Sequence, residues 1–184
     1  MHSKIIKQII AILIIGFSCL SMAQNYSKTE TTYRCNVLGN EIGAAINASD
    51  FSNLKNVIAW GIANCKNYID RDDYYELYAN LSIAERELGN PTAALKAADE
   101  CIKNRYGLPI CHIERFATYN AIGNIQQSLS SAKIAKAILL ESVKAKKREL
   151  LTPSLKYYEK EAIQAKLDSY DAMLEFVNNF LVNK

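Results

Sequence analysis

Beyond the first 23 residues, which hold His2 and Cys19, the side chains whose types admit thiolate chemistry, zinc ligation or disulfide formation are Cys35, Cys65, Cys101, Cys111 and His112. Zinc sites usually draw on close C-x-x-C pairs or additional histidines, and the chain has neither. A redox or nucleophilic thiol needs an exposed, acidic cysteine with a matched neighbour. His112 adjoins Cys111 and lies near Glu114, yet adjacent residues on a helix point about 100° apart, so Cys111 and His112 do not face each other as a catalytic pair. Glu85 with Glu87 and Asp72 with Asp73 are the remaining acid/base candidates, of the kind glycosidases use, although solvated helix faces carry such pairs far more often. No G-x-S-x-G, P-loop, H-E-x-x-H or dinucleotide fingerprint occurs. The chain is therefore read as a non-enzyme without catalytic residues, metal or cofactor, because no convergent set of reactive groups is visible.

The compartment is read from the amino terminus. Lys4 and Lys7 precede a continuous apolar run from Ile9 to Leu20, broken by Gly16 and Ser18, and Ser21-Met22-Ala23 offers small residues where a signal peptidase cuts. Residues 1–23 thus read as a secretory signal peptide, and the rival reading, an uncleaved anchor, needs roughly 20 apolar residues. Cys19 offers a further alternative, a lipid anchor, but Gly16-Phe17-Ser18 lacks the leucine that bacterial lipoprotein signals usually place three residues upstream. Cleavage after Ala23 leaves 161 of 184 residues, read as one domain (24–184), and removes two lysines from a formal charge of +3. A chain near neutrality is not built for nucleic acid. Its densest basic cluster, Lys144, Lys146, Lys147 and Arg148, is better explained by a helix C-terminus.

The four cysteines that remain after Ala23 read, in an exported chain, as two disulfides, for which three pairings exist. Helix geometry selects among them. If Phe51 opens a helix after Ala48-Ser49-Asp50, residues opposed across the hairpin have numbers adding to about 100, from equal rise on both arms. Cys35 and Cys65 satisfy this, and Cys101 and Cys111 lie nearly equidistant from the loop Lys103 to Leu108. The predicted bridges are Cys35–Cys65 and Cys101–Cys111.

Periodicity predicts an all-α chain of about seven helices. The first spans Thr31 to Ala48, with Val37, Leu38, Ile42, Ala45 and Ile46 as its buried stripe. Asp50 caps the second, Phe51 to Asn67. The turn Asp70-Arg71-Asp72-Asp73 precedes a third helix, Tyr74 to Leu88, ended by Gly89. Asn90 caps the fourth, with Pro91 in its first turn. Pro109 starts the fifth, which runs to Ile122. Two long helices follow, Ile125 to Leu150 and Pro153 to Val182, separated at Thr152-Pro153 because proline disfavours helical geometry in its predecessor.

Gly89-Asn90 recurs as Gly123-Asn124, 34 residues later, between paired helical stretches. Tyr78, Leu81, Ser82, Leu88, Gly89, Asn90, Pro91, Ala94 and Ala98 place aromatic, leucine and small residues where two antiparallel helices touch. Leu88 matches Ile122, Leu95 matches Leu129 and Ala98 matches Ala132. This pattern resembles the tetratricopeptide repeat over roughly Tyr74 to Leu140, and loosely over Thr31 to Asn67. Arg115 replaces the leucine expected in the second copy, and Ala98 and Ala132 stand where the family prefers larger residues.

The resemblance implies helical hairpins whose inner helices line a groove that binds a peptide or helix of another exported protein. Carried onto the matched positions, the groove-facing candidates are Glu76, Ala79, Ile83 and Arg86, with Ile113, Ala117 and Asn120 in the second copy. Asn80 lies nearby and Tyr75 at the rim. The lysine and asparagine array that family members use to clamp a terminal carboxylate is lacking. Two functions follow as expectations: an adaptor or assembly scaffold of the cell envelope, or a periplasmic immunity protein that neutralises a toxin or lytic enzyme. In the last helix, Ile163, Leu167, Tyr170, Leu174, Val177 and Leu181 form an apolar seam, read as a cap on the final repeat. With Met173, Phe176 and Phe180 beside it, the alternative is a homodimer contact.

Overall fold

In a computed structural model, residues 30–183 are described, with side chains from Thr31 onward. The signal peptide and Cys19 lie outside the described residues. Seven helices and no strand occur among these residues: α1 (Glu30–Asn47), α2 (Phe51–Asn64), α3 (Arg71–Glu87), α4 (Pro91–Asn104), α5 (Pro109–Ala121), α6 (Ile125–Leu150) and α7 (Tyr157–Val182). The all-α expectation holds. None of these helices is long and apolar enough to cross a membrane.

Helix ends follow local chemistry. Asp50 caps α2 by accepting the Asn53 N–H at 3.0 Å, and Asn124 caps α6 by accepting the Gln127 N–H at 3.2 Å. Gly89 and Gly123 take φ of +80° and +75°, the left-handed geometry that closes α3 and α5. Four ends differ from the sequence reading. Helix α2 stops at Asn64 instead of Asn67, with Cys65 as its C-cap. Helix α3 starts at Arg71, because Asp70 accepts the Asp72 N–H at 2.7 Å and two further aspartates favour the positive helix start. Asn90 stands at the N-cap of α4 without bonding its N–H groups; its amide instead donates to Glu85 Oε2 at 3.0 Å, meeting a buried carboxylate that also holds Lys55 at 2.9 Å. Pro153 lies in a turn. Helix α7 begins after Lys156, whose N–H donates to Glu159 Oε2 at 2.7 Å.

Each helix packs on the next, and α3 also packs on α5, so the inner member of one hairpin stacks on that of the following one. The two predicted disulfides are formed. Cys35–Cys65 ties the start of α1 to the end of α2, and Cys101–Cys111 ties the end of α4 to the start of α5, with Cα separations of 5.5 and 5.6 Å. One buried cluster joins α1, α2 and α3 through Leu38, Leu54, Ile58, Leu77 and Ile83. Within it Gly61 permits close approach: a Cβ there would meet Leu38 Cδ2 at 2.6 Å. The second cluster joins α3 to α7 through Ala79, Ile113, Phe116, Leu139, Tyr170, Met173 and Val177.

Candidate functional site

The expected groove is closed from within. Ala79, Ile83 and Ile113 are 0%, 1% and 1% exposed, so as folded they offer no surface to a partner. This corrects their reading as groove residues: Ile83 belongs to the α1–α3 cluster, whereas Ala79 and Ile113 share a cluster with α7. Helix α7 brings Phe176 and Phe180 to within 5.4 and 5.0 Å of the Phe116 ring, and Lys166 reaches Glu76. Its seam turns inward: Ile163, Leu167, Tyr170 and Val177 are buried, as is Met173 beside them, and the half-buried Leu174 and Leu181 pack against the same cluster as Tyr170 and Val177.

The polar members of the expected face are engaged likewise. Glu76 is buried and accepts from Lys166 Nζ at 3.3 Å. Arg86 spans Glu87 at 2.6 Å and Glu114 at 3.1 Å, linking α3 to α5. Burial pushes the Glu114 carboxyl up, and the Arg86 guanidinium opposes that. Asn80 donates to the Glu76 carbonyl within its own helix. Tyr75 packs against both clusters, and Ala117 and Asn120 are half-buried.

The reactive candidates do not converge. The four cysteines among the described residues are paired and buried. His112, 1% exposed, donates from Nε2 to the Tyr106 carbonyl at 2.8 Å; this puts its proton on Nε2 and leaves Nδ1 without a partner among the described residues. Burial holds its pKa below the ordinary value. Glu85 and Glu87 turn to different partners, Lys55 and Arg86.

An open site lies instead where the start of α3, the α4–α5 loop, the end of α6 and the start of α7 meet. A cavity of about 440 Å³ is lined there by carboxylates of Asp70, Asp72, Asp73 and Glu76 on one side and of Glu149 and Glu159 on the other. Lys146 and Lys166 are its cations, and Leu108, Leu155, Ile163 and Tyr170 its larger apolar walls. A second hollow of about 320 Å³, which includes Arg105 and Tyr106, shares Asp72, Leu108, Lys146 and Tyr170 with the first. Around this end Tyr106, Leu151, Tyr157 and Tyr158 are 60 to 80% exposed.

Most charges at this end are already matched. Lys166 holds Glu76, Lys146 holds Glu149 at 2.6 Å, and Arg105 pairs with Asp72. Asp73 differs, for its carboxylate makes no ion pair or hydrogen bond among the described residues. Burial, then the negative charges of Glu76 and Asp70, push its pKa up to about 7, against the pull of Lys166. Burial works to lower Lys166, but Glu76 and Tyr170 outweigh it and keep the ammonium above its usual range. Among the described residues no cluster of three or more His, Cys, Asp or Glu is arranged to hold a metal ion.

Sequence reading singled out none of this arrangement. Asp72 and Asp73 were visible as a pair, and Lys146 as part of a basic cluster, but Lys166 and Tyr158 come from a helix whose position on α3 has no local signal. No family model, curated protein or solved structure matches the chain.

Proposed function

We propose that the chain is an exported protein–protein interaction module, an adaptor or scaffold built from tetratricopeptide-like hairpins, that works by binding rather than catalysis. Its two disulfides fit an oxidising compartment. The hairpin stacking, with α3 against α5, agrees with the resemblance carried by Gly89-Asn90 and Gly123-Asn124. The observation that carries the reading is the gathering of Tyr106, Leu151, Tyr157 and Tyr158, all largely exposed, at one end of the stack. Tyrosine is enriched at protein interfaces because a rigid amphipathic ring buries much area at small entropic cost. The binding surface in this reading is that end, since α7 covers the inner face.

The test is affinity capture by the oxidised protein from its own cell envelope, quantified by mass spectrometry, with Tyr157→Ala plus Tyr158→Ala as comparison. A partner enriched by the wild type and lost with the variant supports the module. Nothing enriched above a tag-only control contradicts it. A captured lytic enzyme whose activity is abolished would turn the adaptor into an inhibitor.

A further inference from the structure

We infer that the acidic cavity between α3 and the α6–α7 hairpin receives a basic side chain of the partner, a lysine or arginine flanked by apolar residues that rest on the exposed Tyr157 and Tyr158 of the adjoining first turn of α7. The inference deepens the interaction role and rests on it.

Charge complementarity selects this occupant. Three of the six lining carboxylates are matched, Glu76 by Lys166, Glu149 by Lys146 and Asp72 by Arg105. Three are left. Asp70 and Glu159 accept only backbone N–H groups, at 2.7 Å each, which leaves their negative charge in place. Asp73 has neither. The positive starts of α3 and α7 offset these charges in part, but no cationic side chain among the described residues pairs with them; a guanidinium or ammonium entering the cavity would do so, while an anion would meet surplus carboxylate on both walls. The volume of about 440 Å³ is ample for one long side chain with water. Lys144, Lys147 and Arg148 line neither hollow, so the complementarity is local.

The apolar part of the patch says how the rest of the segment lies. Tyr157 and Tyr158 occupy the first turn of α7, next to Leu155 and Glu159 of the cavity wall, and Leu151 follows α6 directly. A basic residue between two apolar ones reaches the carboxylates while its neighbours cover the rings. Ionised Asp73 binds the cation better than the protonated acid does. Asp70, Asp72, Glu76, Lys146, Glu149, Glu159, Lys166 and Tyr170 line the same cavity, and Asp73, raised to about 7, changes charge near neutrality. Affinity therefore rises from pH 6 to pH 8.

The probe is the capped peptide Gly-Leu-Arg-Leu-Gly, titrated into the oxidised protein and followed by amide chemical shifts, with Gly-Leu-Glu-Leu-Gly as counterpart. The expected result is saturable shifts confined to Asp73, Tyr158, Lys166 and their neighbours for the arginine peptide alone. Asp73→Asn removes a desolvated charge and so keeps the fold; it should weaken binding about tenfold at pH 8 and erase the pH dependence, whereas Glu175→Gln leaves both unchanged. Equal shifts with the glutamate peptide, shifts outside this end, or none at all would overturn the inference. Should those results coincide with successful partner capture, the interaction role stands and the cavity is not its site.

Discussion

Lys166 on α7 reaches back 90 residues to Glu76 on α3, with Nζ 3.3 Å from the carboxylate, and both sit beside Asp73. The arrangement makes Asp73 a reporter of how α7 is seated. Lys166→Met removes the one cation that draws Asp73 down, so its carboxyl should titrate above about 7; Glu76→Gln removes a raising charge and should bring it lower. A carbon-detected NMR titration of the side chain reads both, and an ordinary carboxylate value in the wild type would refute the seating. The same shift affects stability. A carboxyl raised by folding contributes stability at low pH that is lost as pH climbs through about 7, so Asp73→Asn should be more stable than the wild type at pH 8, by about 1 kcal/mol.

His112 acts in the opposite sense. Its folded pKa lies below the ordinary 6.5, so the neutral ring supports the fold above that value and the support fades as pH falls beneath it. Because the Asp73 contribution slopes the other way over part of that range, the comparison belongs in the Asp73→Asn background. There, melting temperatures from pH 7 to pH 5 should fall with His112 and stay flatter with His112→Gln, a difference of order 1 kcal/mol. Parallel curves would show that the buried ring does not titrate with unfolding.

The two disulfides should differ in worth. The bridges span 30 and 10 residues, and chain-entropy arguments give the longer loop about 1 kcal/mol more stabilisation. Replacing Cys35 and Cys65 by alanine should thus lower the urea midpoint further than replacing Cys101 and Cys111. The reverse order would mean that native packing around Cys101, rather than loop closure, dominates.

Ile83 and Ile113 test the corrected inner face. A carboxylate at either position, each 1% exposed, is stripped of water inside an apolar cluster, so Ile83→Asp or Ile113→Asp should cost more than about 4 kcal/mol and largely unfold the chain. Asn120→Asp, at a half-buried position, should change stability by about 0.5 kcal/mol or less. Circular dichroism melting separates these outcomes, and a native-like melt for Ile83→Asp would restore that side chain to the surface.

The local rules carried the secondary structure because each acts within a few residues. Asp50, Gly89, Pro109 and Gly123 punctuate helices wherever they occur, and the hairpin count that opposed Cys35 to Cys65 needs only helical rise. The face assignment failed for a different reason. An isoleucine at position 83 or 113 looks the same in sequence whether it meets a ligand or a neighbouring helix, and the covering residues come from helices distant in the chain, α1 for Ile83 and α7 for Ile113. Asp73 was legible as part of an acidic helix start, but its lack of an ion pair depends on Lys166 choosing Glu76.

The most direct test of the interaction role is photo-crosslinking in the living host, with benzoylphenylalanine in place of Tyr158 at the hairpin end and, in a separate strain, of Leu140 on α6, 41% exposed. A discrete crosslinked species from position 158 and none from position 140 is the predicted result. Crosslinks of equal yield from both positions, or from position 140 alone, would contradict it.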